Sequence, residues 1–234
     1  MKTIGLVGGT SWHSTLDYYR YFNEMVAEET GEFESAKVMI NSVNYGEIRK
    51  LQEADDWQTI SSIICKAAQD LEKGGADCIM LGANTLHRIA NDVEASVSIP
   101  LLHIAKETAL EIRKLNIDTV ALLGTKYTMQ LSFFKDILLE NGIATLVPKE
   151  EAMEKINNAI YDELSKGLVL DPTKKTFIEI IDQLAGLGAD GVILGCTEIP
   201  MLIKLQDCPL PLFDTTKIHA RAGVNFALGR SEST

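Results

Sequence analysis

Four consecutive residues, Gly195-Cys196-Thr197-Glu198, set a thiol, a hydroxyl and a carboxylate directly after the apolar run Gly191-Val192-Ile193-Leu194. A thiol in a loop at the end of a buried strand is open to chemistry in a way that a core thiol is not. Two roles fit it: nucleophile, or acid/base at carbon. Its polar neighbours and the helix expected beyond them favour a lowered thiol pKa. The bland alternative is a free cysteine acting as a small buried hydrophobe.

The chain carries this context twice. Ala76-Asp77-Cys78-Ile79-Met80-Leu81-Gly82-Ala83-Asn84-Thr85 aligns with Ala189-Asp190-Gly191-Val192-Ile193-Leu194-Gly195-Cys196-Thr197-Glu198, each position 113 residues later. Cys196 therefore corresponds to Ala83. Of the four histidines, His13, His87, His103 and His219, none is paired with Cys196 by a sequence signature. His87 and His219 rank highest, each following a strand of the expected site by a few residues. Two like halves suit proton transfer better than nucleophilic attack, because taking a proton from one face of a carbon and returning it to the other needs two equivalent groups.

Other loops offer anion-binding groups. Gly8-Gly9-Thr10-Ser11 lacks the spaced glycines of a dinucleotide fingerprint and the lysine of a P-loop. It reads either as a tight strand–helix turn or as a carboxylate site of backbone N–H groups and hydroxyls. Asn84 with Thr85, and Thr125 with Thr128, follow the same logic. Together they suit a small dicarboxylate. The run Glu53-Ala54-Asp55-Asp56 reads as a solvated helix start.

These loops need strands to present them. Apolar runs predict strands at 3–7, 37–43, 78–81, 98–103, 119–123, 144–147, 191–194 and 210–214. Helical periodicity lies between them: after a capping box at Ser14 and Asp17, then over 57–72, 129–140, 151–165, 173–187 and a closing stretch through 226. Alternating strands and helices imply an α/β fold with mostly parallel sheets. Ile4-Gly5-Leu6-Val7-Gly8 matches Val120-Ala121-Leu122-Leu123-Gly124, and Ile99-Pro100-Leu101-Leu102-His103 matches Leu210-Pro211-Leu212-Phe213-Asp214. The expectation is two pseudo-symmetric lobes, 1–103 plus 207–234 and 104–206, each a mostly parallel sheet flanked by helices. Ligands in such sheets bind beyond the carboxyl ends of the strands. Loops 8–11, 82–85, 124–128 and 195–198 are therefore expected to meet in one active site between the lobes.

Bulk composition narrows the partners. With 46% apolar and 24% charged residues the 234-residue chain has an ordinary globular make-up. A net charge of −11 argues against a nucleic-acid surface. No run reaches the roughly 18 apolar residues of a membrane span, and Met1-Lys2-Thr3 leads straight into a strand, so no signal peptide is expected. Cys65, Cys78, Cys196 and Cys208 have no CxxC spacing, which suggests neither a zinc site nor a redox pair. Cys65 and Cys78 read as inert core residues. A reduced, cytoplasmic chain follows.

Ile4-Gly5-Leu6-Val7-Gly8-Gly9-Thr10-Ser11-Trp12, Gly82-Ala83-Asn84-Thr85-Leu86-His87, Leu123-Gly124-Thr125-Lys126-Tyr127-Thr128 and Gly195-Cys196-Thr197-Glu198 together resemble the aspartate/glutamate racemase family, over about residues 2–228. The likeness is to aspartate racemases and broad amino-acid racemases; cell-wall glutamate racemases carry His where Glu198 stands. The resemblance implies isomerase activity without pyridoxal phosphate, metal or other cofactor, a homodimer, and a C-terminal segment that returns to the first lobe. It implies that one thiolate takes a proton from the substrate Cα while a second thiol donates one to the other face. By position the second cysteine is Cys196, and the first is replaced by Ala83. Substrate-binding positions are Thr10, Ser11, Gln52, Asn84, Thr85, Thr128 and Thr197, with Glu198, His87 and His219 behind them. Relatives often carry Met at position 10, and Gln52 lies in no motif. Alanine exchanges no proton, so a one-thiol decarboxylase or other one-base isomerase, and a dicarboxylate-binding relative with weak catalysis, stand beside the racemase.

Overall fold

The computed structural model describes residues 1–230. The chain forms two compact units, Met1–Ile104 with the C-terminal segment from Thr216, and Ala105–Thr215. In the first unit β1 (Ile4–Gly8) leads to α1 (Trp12–Thr30) and β2 (Val38–Ser42). Then come α2 (Tyr45–Glu53), α3 (Trp57–Gly74), β3 (Cys78–Leu81), a 3-10 turn over Asn84–Ile89, α4 (Ala90–Ser96) and β4 (Leu101–Leu102). Helix α5 (Ile104–Lys114) opens the second unit. It continues with β5 (Thr119–Gly124), α6 (Lys126–Gln130), α7 (Ser132–Glu140), β6 (Ala144–Leu146), α8 (Glu150–Asp162) and α9 (Asp171–Gly186). Strand β7 (Gly191–Gly195), α10 (Ile199–Leu202) and β8 (Leu212–Asp214) complete it, and α11 (Thr215–Leu228) returns the chain to the first unit.

Both sheets are parallel and share one order: β2-β1-β3-β4 and β6-β5-β7-β8. The internal repeat is thus a repeat of topology. Central strands are buried along their whole length, as helices on both faces require, which is why β1 and β7 read as unbroken apolar runs. In each order the chain reverses direction across the sheet at one point, between β1 and β3 and between β5 and β7. At such a reversal, helices generally leave to opposite faces and a crevice forms at the strands' carboxyl ends. Pairing of Val7 with Leu81 and of Gly124 with Gly195 brings the exit loops side by side within each unit.

Core packing follows helical spacing. Helix α1 buries Tyr18, Phe22, Met25 and Val26 against β1 and β3, joined by Ala220 and Val224 of α11. The second core gathers Leu123, Val192 and Leu194 with Ile156, Ile160, Phe177 and Ile181 from α8 and α9. No helix among the described residues is long and apolar enough to cross a membrane.

Several local expectations change. Helix α1 starts at Trp12, not at a capping box on Ser14, because the Ser11 side chain is the N-cap, accepting from the Ser14 N–H at 3.3 Å. Helix α2 was not expected: Ile48 is its single buried residue, so it lacks a broad apolar stripe. Glu53 ends α2, and Asp56 caps α3 by accepting from the Thr59 N–H. The expected strand over 98–103 shortens to two residues, and the helix over 129–140 is two helices parted at the extended Leu131. Residues 207–215, expected with the first lobe, belong to the second unit because β8 pairs with β7. Cys78 is buried, but Cys65 is only partly so.

Candidate active site

In the first unit the exit of β1 is shaped by Gly9. Its φ is +87°, and a Cβ there would lie 2.1 Å from the Val43 carbonyl oxygen. No L side chain fits that position. The Gly9 N–H donates to Thr15 Oγ1 at 2.9 Å, and Thr15 Oγ1 donates to the Ser11 carbonyl. These bonds turn the chain so that Thr10 is 9% exposed, with its Oγ1 buried and without a hydrogen-bond partner among the described residues. A buried orphan hydroxyl costs about 1–3 kcal/mol.

The neighbouring exit, after β3, carries Ala83, Asn84 and Thr85. Ala83 is extended and partly exposed, Asn84 is buried and Thr85 partly so. Main-chain atoms hold this turn. The Gly82 N–H donates to the Val7 carbonyl at 2.9 Å, Ser14 Oγ donates to the Gly82 carbonyl at 2.8 Å, and His87 Nδ1–H donates to the Ala83 carbonyl at 3.1 Å. Gln52 lies on α2, a helix packed on α3, rather than on either exit loop.

Behind the turn sits a buried aromatic and imidazole cluster. His87 accepts at Nε2 from the Ile104 N–H, which leaves its proton on Nδ1. His219 has the opposite tautomer: Nε2–H donates to the Leu102 carbonyl, and Nδ1 accepts from the Tyr18 hydroxyl, both at 2.8 Å. The His87 ring centroid lies 4.6 Å from that of His103 and 5.6 Å from that of His219. Burial first, then neighbouring imidazoles, hold the His87 pKa well below its ordinary value. Burial likewise brings His219 down to about 3. His103 and Ser14 belong to this arrangement; no local spacing marks either for it, because only the tertiary fold brings them under the turn.

In the second unit the exit of β7 is the Gly195-to-Glu198 loop. A Cβ on Gly195 would lie 2.8 Å from the Leu123 carbonyl oxygen and 3.3 Å from Thr128 Cγ2, so Thr128 stands close over the Gly124–Gly195 pair. Thr128 is fully buried, with Oγ1 3.3 Å from Thr125 Oγ1. Cys196 Sγ donates to Glu198 Oε2 at 2.9 Å, and Thr197 Oγ1 donates to the same oxygen at 2.7 Å. Glu198 is 8% exposed. The expected lowering of the Cys196 pKa is reversed: burial, then the Glu198 charge and hydrogen bond, push the thiol well above its ordinary value. Helix α10, four residues long, has little dipole to oppose them. The resting group is a protonated thiol directed at a carboxylate.

Two parallel sheets of one topology, with hydroxyls and amides at one switch point and a thiol–carboxylate pair at the other, define an α/β protein of two like units. Relatives narrow the class. The structure of a candidate Asp/Glu racemase from Yersinia pestis is similar at 42% identity, covering 97% of this chain and 100% of its own, with a TM-score of 0.93. An aspartate racemase homologue from Pyrococcus horikoshii OT3 is similar at 36% identity over 97% and 100% of the two chains, TM-score 0.87. The broad specificity amino-acid racemase RacX of Bacillus subtilis is 26% identical over 170 residues, 73% of each chain. The Asp/Glu/hydantoin racemase family pattern matches residues 7–223, and the chain belongs to that family.

Proposed function

We propose that the chain is an amino-acid racemase of acidic substrates, aspartate or glutamate, working by cofactor-independent Cα proton transfer. Cys196, at the family's second cysteine position, is its one thiol acid/base, and Ala83 occupies the position of the first. The observation that carries this reading is the Cys196 thiol, partly buried at the β7 exit and hydrogen-bonded to a carboxylate, in a racemase-family chain. Thr10, with its unpartnered buried hydroxyl, supports a carboxylate subsite. Ser11, Asn84 and Thr85 from the first unit, Thr128 and Thr197 from the second, and Gln52 on α2 complete the substrate-binding set. His87 and His219 serve behind it. As the family resemblance implies, the chain works as a cytoplasmic homodimer.

Ala83 favours a second reading. A methyl group exchanges no proton, and losing one acid/base group costs about 10²–10⁴-fold. Cys196 then acts on one face only, giving weak or stereoselective racemisation, or decarboxylation followed by single-face protonation. One experiment separates these. The protein is incubated with L- and D-aspartate and glutamate in D₂O, and the Cα–H signal is followed by NMR. Inversion with deuterium uptake establishes racemisation; deuterium uptake without inversion establishes one-base exchange. Loss of the α-carboxylate establishes decarboxylation. Binding without exchange at either enantiomer overturns both catalytic readings for these substrates.

A further inference from the structure

Two exit loops of the first unit must hold a fixed spacing if they are to grip one ligand. The sheet does little to set it. Pairing of β1 with β3 ends at Val7 and Leu81. Beyond the Gly82 N–H bond to the Val7 carbonyl, no main-chain hydrogen bond among the described residues joins the loop of Thr10 and Ser11 to the turn of Ala83, Asn84 and Thr85. The first turn of α1 makes the link instead. A serine there ordinarily bonds its own helix. Ser14, 1% exposed, donates through Oγ to the Gly82 carbonyl at 2.8 Å, across 68 residues of sequence. Its N–H donates to Ser11 Oγ in the other loop. Next to it, Thr15 Oγ1 accepts from the Gly9 N–H at 2.9 Å and donates to the Ser11 carbonyl at 3.0 Å. Thr15 also covers Gly8, where a Cβ would lie 2.7 Å from Oγ1, and a Cβ on Gly82 would stand 3.6 Å from the Gly8 Cα. The two loops are in close contact, and Ser14 and Thr15 bond to both.

We infer that Ser14 is a positioning residue, which with Thr15 staples the Thr10–Ser11 loop and the Ala83–Thr85 turn into one pre-formed cradle for the ligand. Ser14 is too deeply buried to touch a ligand and acts through the groups it holds. A cradle already in shape loses less freedom when it binds, and affinity rises accordingly. Spacing matters for reaction as well as for binding, because a misplacement of about 1 Å can cost about 10²-fold. Every residue of the staple lies in the first unit. For the ligand's identity, a small dicarboxylate, the inference rests on the acidic-substrate reading above. The coupling of the two loops is tested without any ligand.

The test is amide hydrogen exchange, followed by NMR, in the parent, Ser14→Ala and Thr15→Val, with each variant read in the loop opposite its lost bond. Ser14→Ala deletes the bond to the Gly82 carbonyl, and its reporter is the Gly9 N–H. Thr15→Val deletes the bonds to Gly9 and Ser11, and its reporter is the Gly82 N–H. The Ile79 N–H, bonded to the Pro100 carbonyl inside the sheet, reports opening of the unit as a whole. With a staple, each distant reporter exchanges about tenfold faster, the worth of one hydrogen bond, while Ile79 stays near the parent rate. Faster exchange confined to the loop that lost its bond overturns the coupling. Equal acceleration of Ile79 overturns it too, because a general loss of stability moves all amides alike. Either variant suffices should the other fail to fold. Calorimetry with aspartate is the second readout: Ser14→Ala weakens binding about tenfold. Coupled loops with unchanged aspartate affinity overturn the positioning role. Should the parent bind neither aspartate nor glutamate, the acidic-substrate reading fails and the exchange rates alone decide the staple.

Discussion

The buried imidazoles make an acid-labile fold. His87 and His219 are held neutral inside the first unit, whereas in the unfolded chain each titrates near its ordinary 6.5. Below that pH the unfolded state binds more protons than the folded state, so stability falls as pH falls. The contribution is whole above about pH 6.5 and is lost downward, for His219 until about 3. Each such group removes about 1.4 kcal/mol per pH unit in that window. Lowering the pH from 7 to 5 therefore costs about 2 kcal/mol per histidine and about 4 kcal/mol for the pair, a large part of a typical 5–15 kcal/mol total. Few carboxylates interfere, because those held low by hydrogen bonds and cations, such as Asp56, Glu72 and Glu29, lose their contribution mainly below pH 5. The assay is urea unfolding at pH 7, 6 and 5 for the parent and for His219→Gln. Expected slopes between pH 6 and 5 are about 2.7 kcal/mol per pH unit for the parent and about half that for the variant. Equal slopes, or NMR titration of the native His219 ring near pH 6.5, refute the reasoning.

Other outcomes follow from the exit loops. Gly9→Ala must strain a positive-φ turn and meet the Val43 main chain, costing about 3 kcal/mol or more in chemical denaturation; a loss under 0.5 kcal/mol, on the order of a neutral surface change, contradicts the turn. Thr10→Val removes an unpartnered buried hydroxyl, so unfolding free energy stays level or rises by up to about 1 kcal/mol. The same variant weakens aspartate binding about tenfold by calorimetry if that hydroxyl serves the ligand; a stability loss with unchanged binding reverses the assignment. Ala83→Cys adds the second acid/base group and raises racemisation by about 10²-fold or more, read by circular dichroism of the amino acid. No gain means that position 83 does not face the Cα opposite Cys196.

Much of this architecture is legible in the sequence. Strands buried on both faces leave unbroken apolar runs, and the 113-residue repeat exposed the like topology of the halves. Elements escaped where packing rather than pattern holds them. Helix α2 offers one buried side chain, and β4 is a two-residue rung on β3. The site was legible as residue types but not as energies. Glu198 stands beside Cys196 in the sequence, but the largest cause of the raised thiol pKa is burial, which adjacency does not encode. The imidazole cluster joins residues 87, 103 and 219 through tertiary packing, beyond the reach of local spacing.

The turn after β3 is fixed by the carbonyls of Gly82 and Ala83 and the N–H of Gly82, and not by the side chain at 83. That makes residue 83 a socket. A methyl, a hydroxyl or a thiol can be seated there while the surrounding main chain keeps its shape, because no bond that holds the turn belongs to the occupant. The chemistry presented by this turn is therefore exchangeable at the level of one residue. A loop built this way can change the side chain it presents by a single substitution, without redesign of the bonds that hold it.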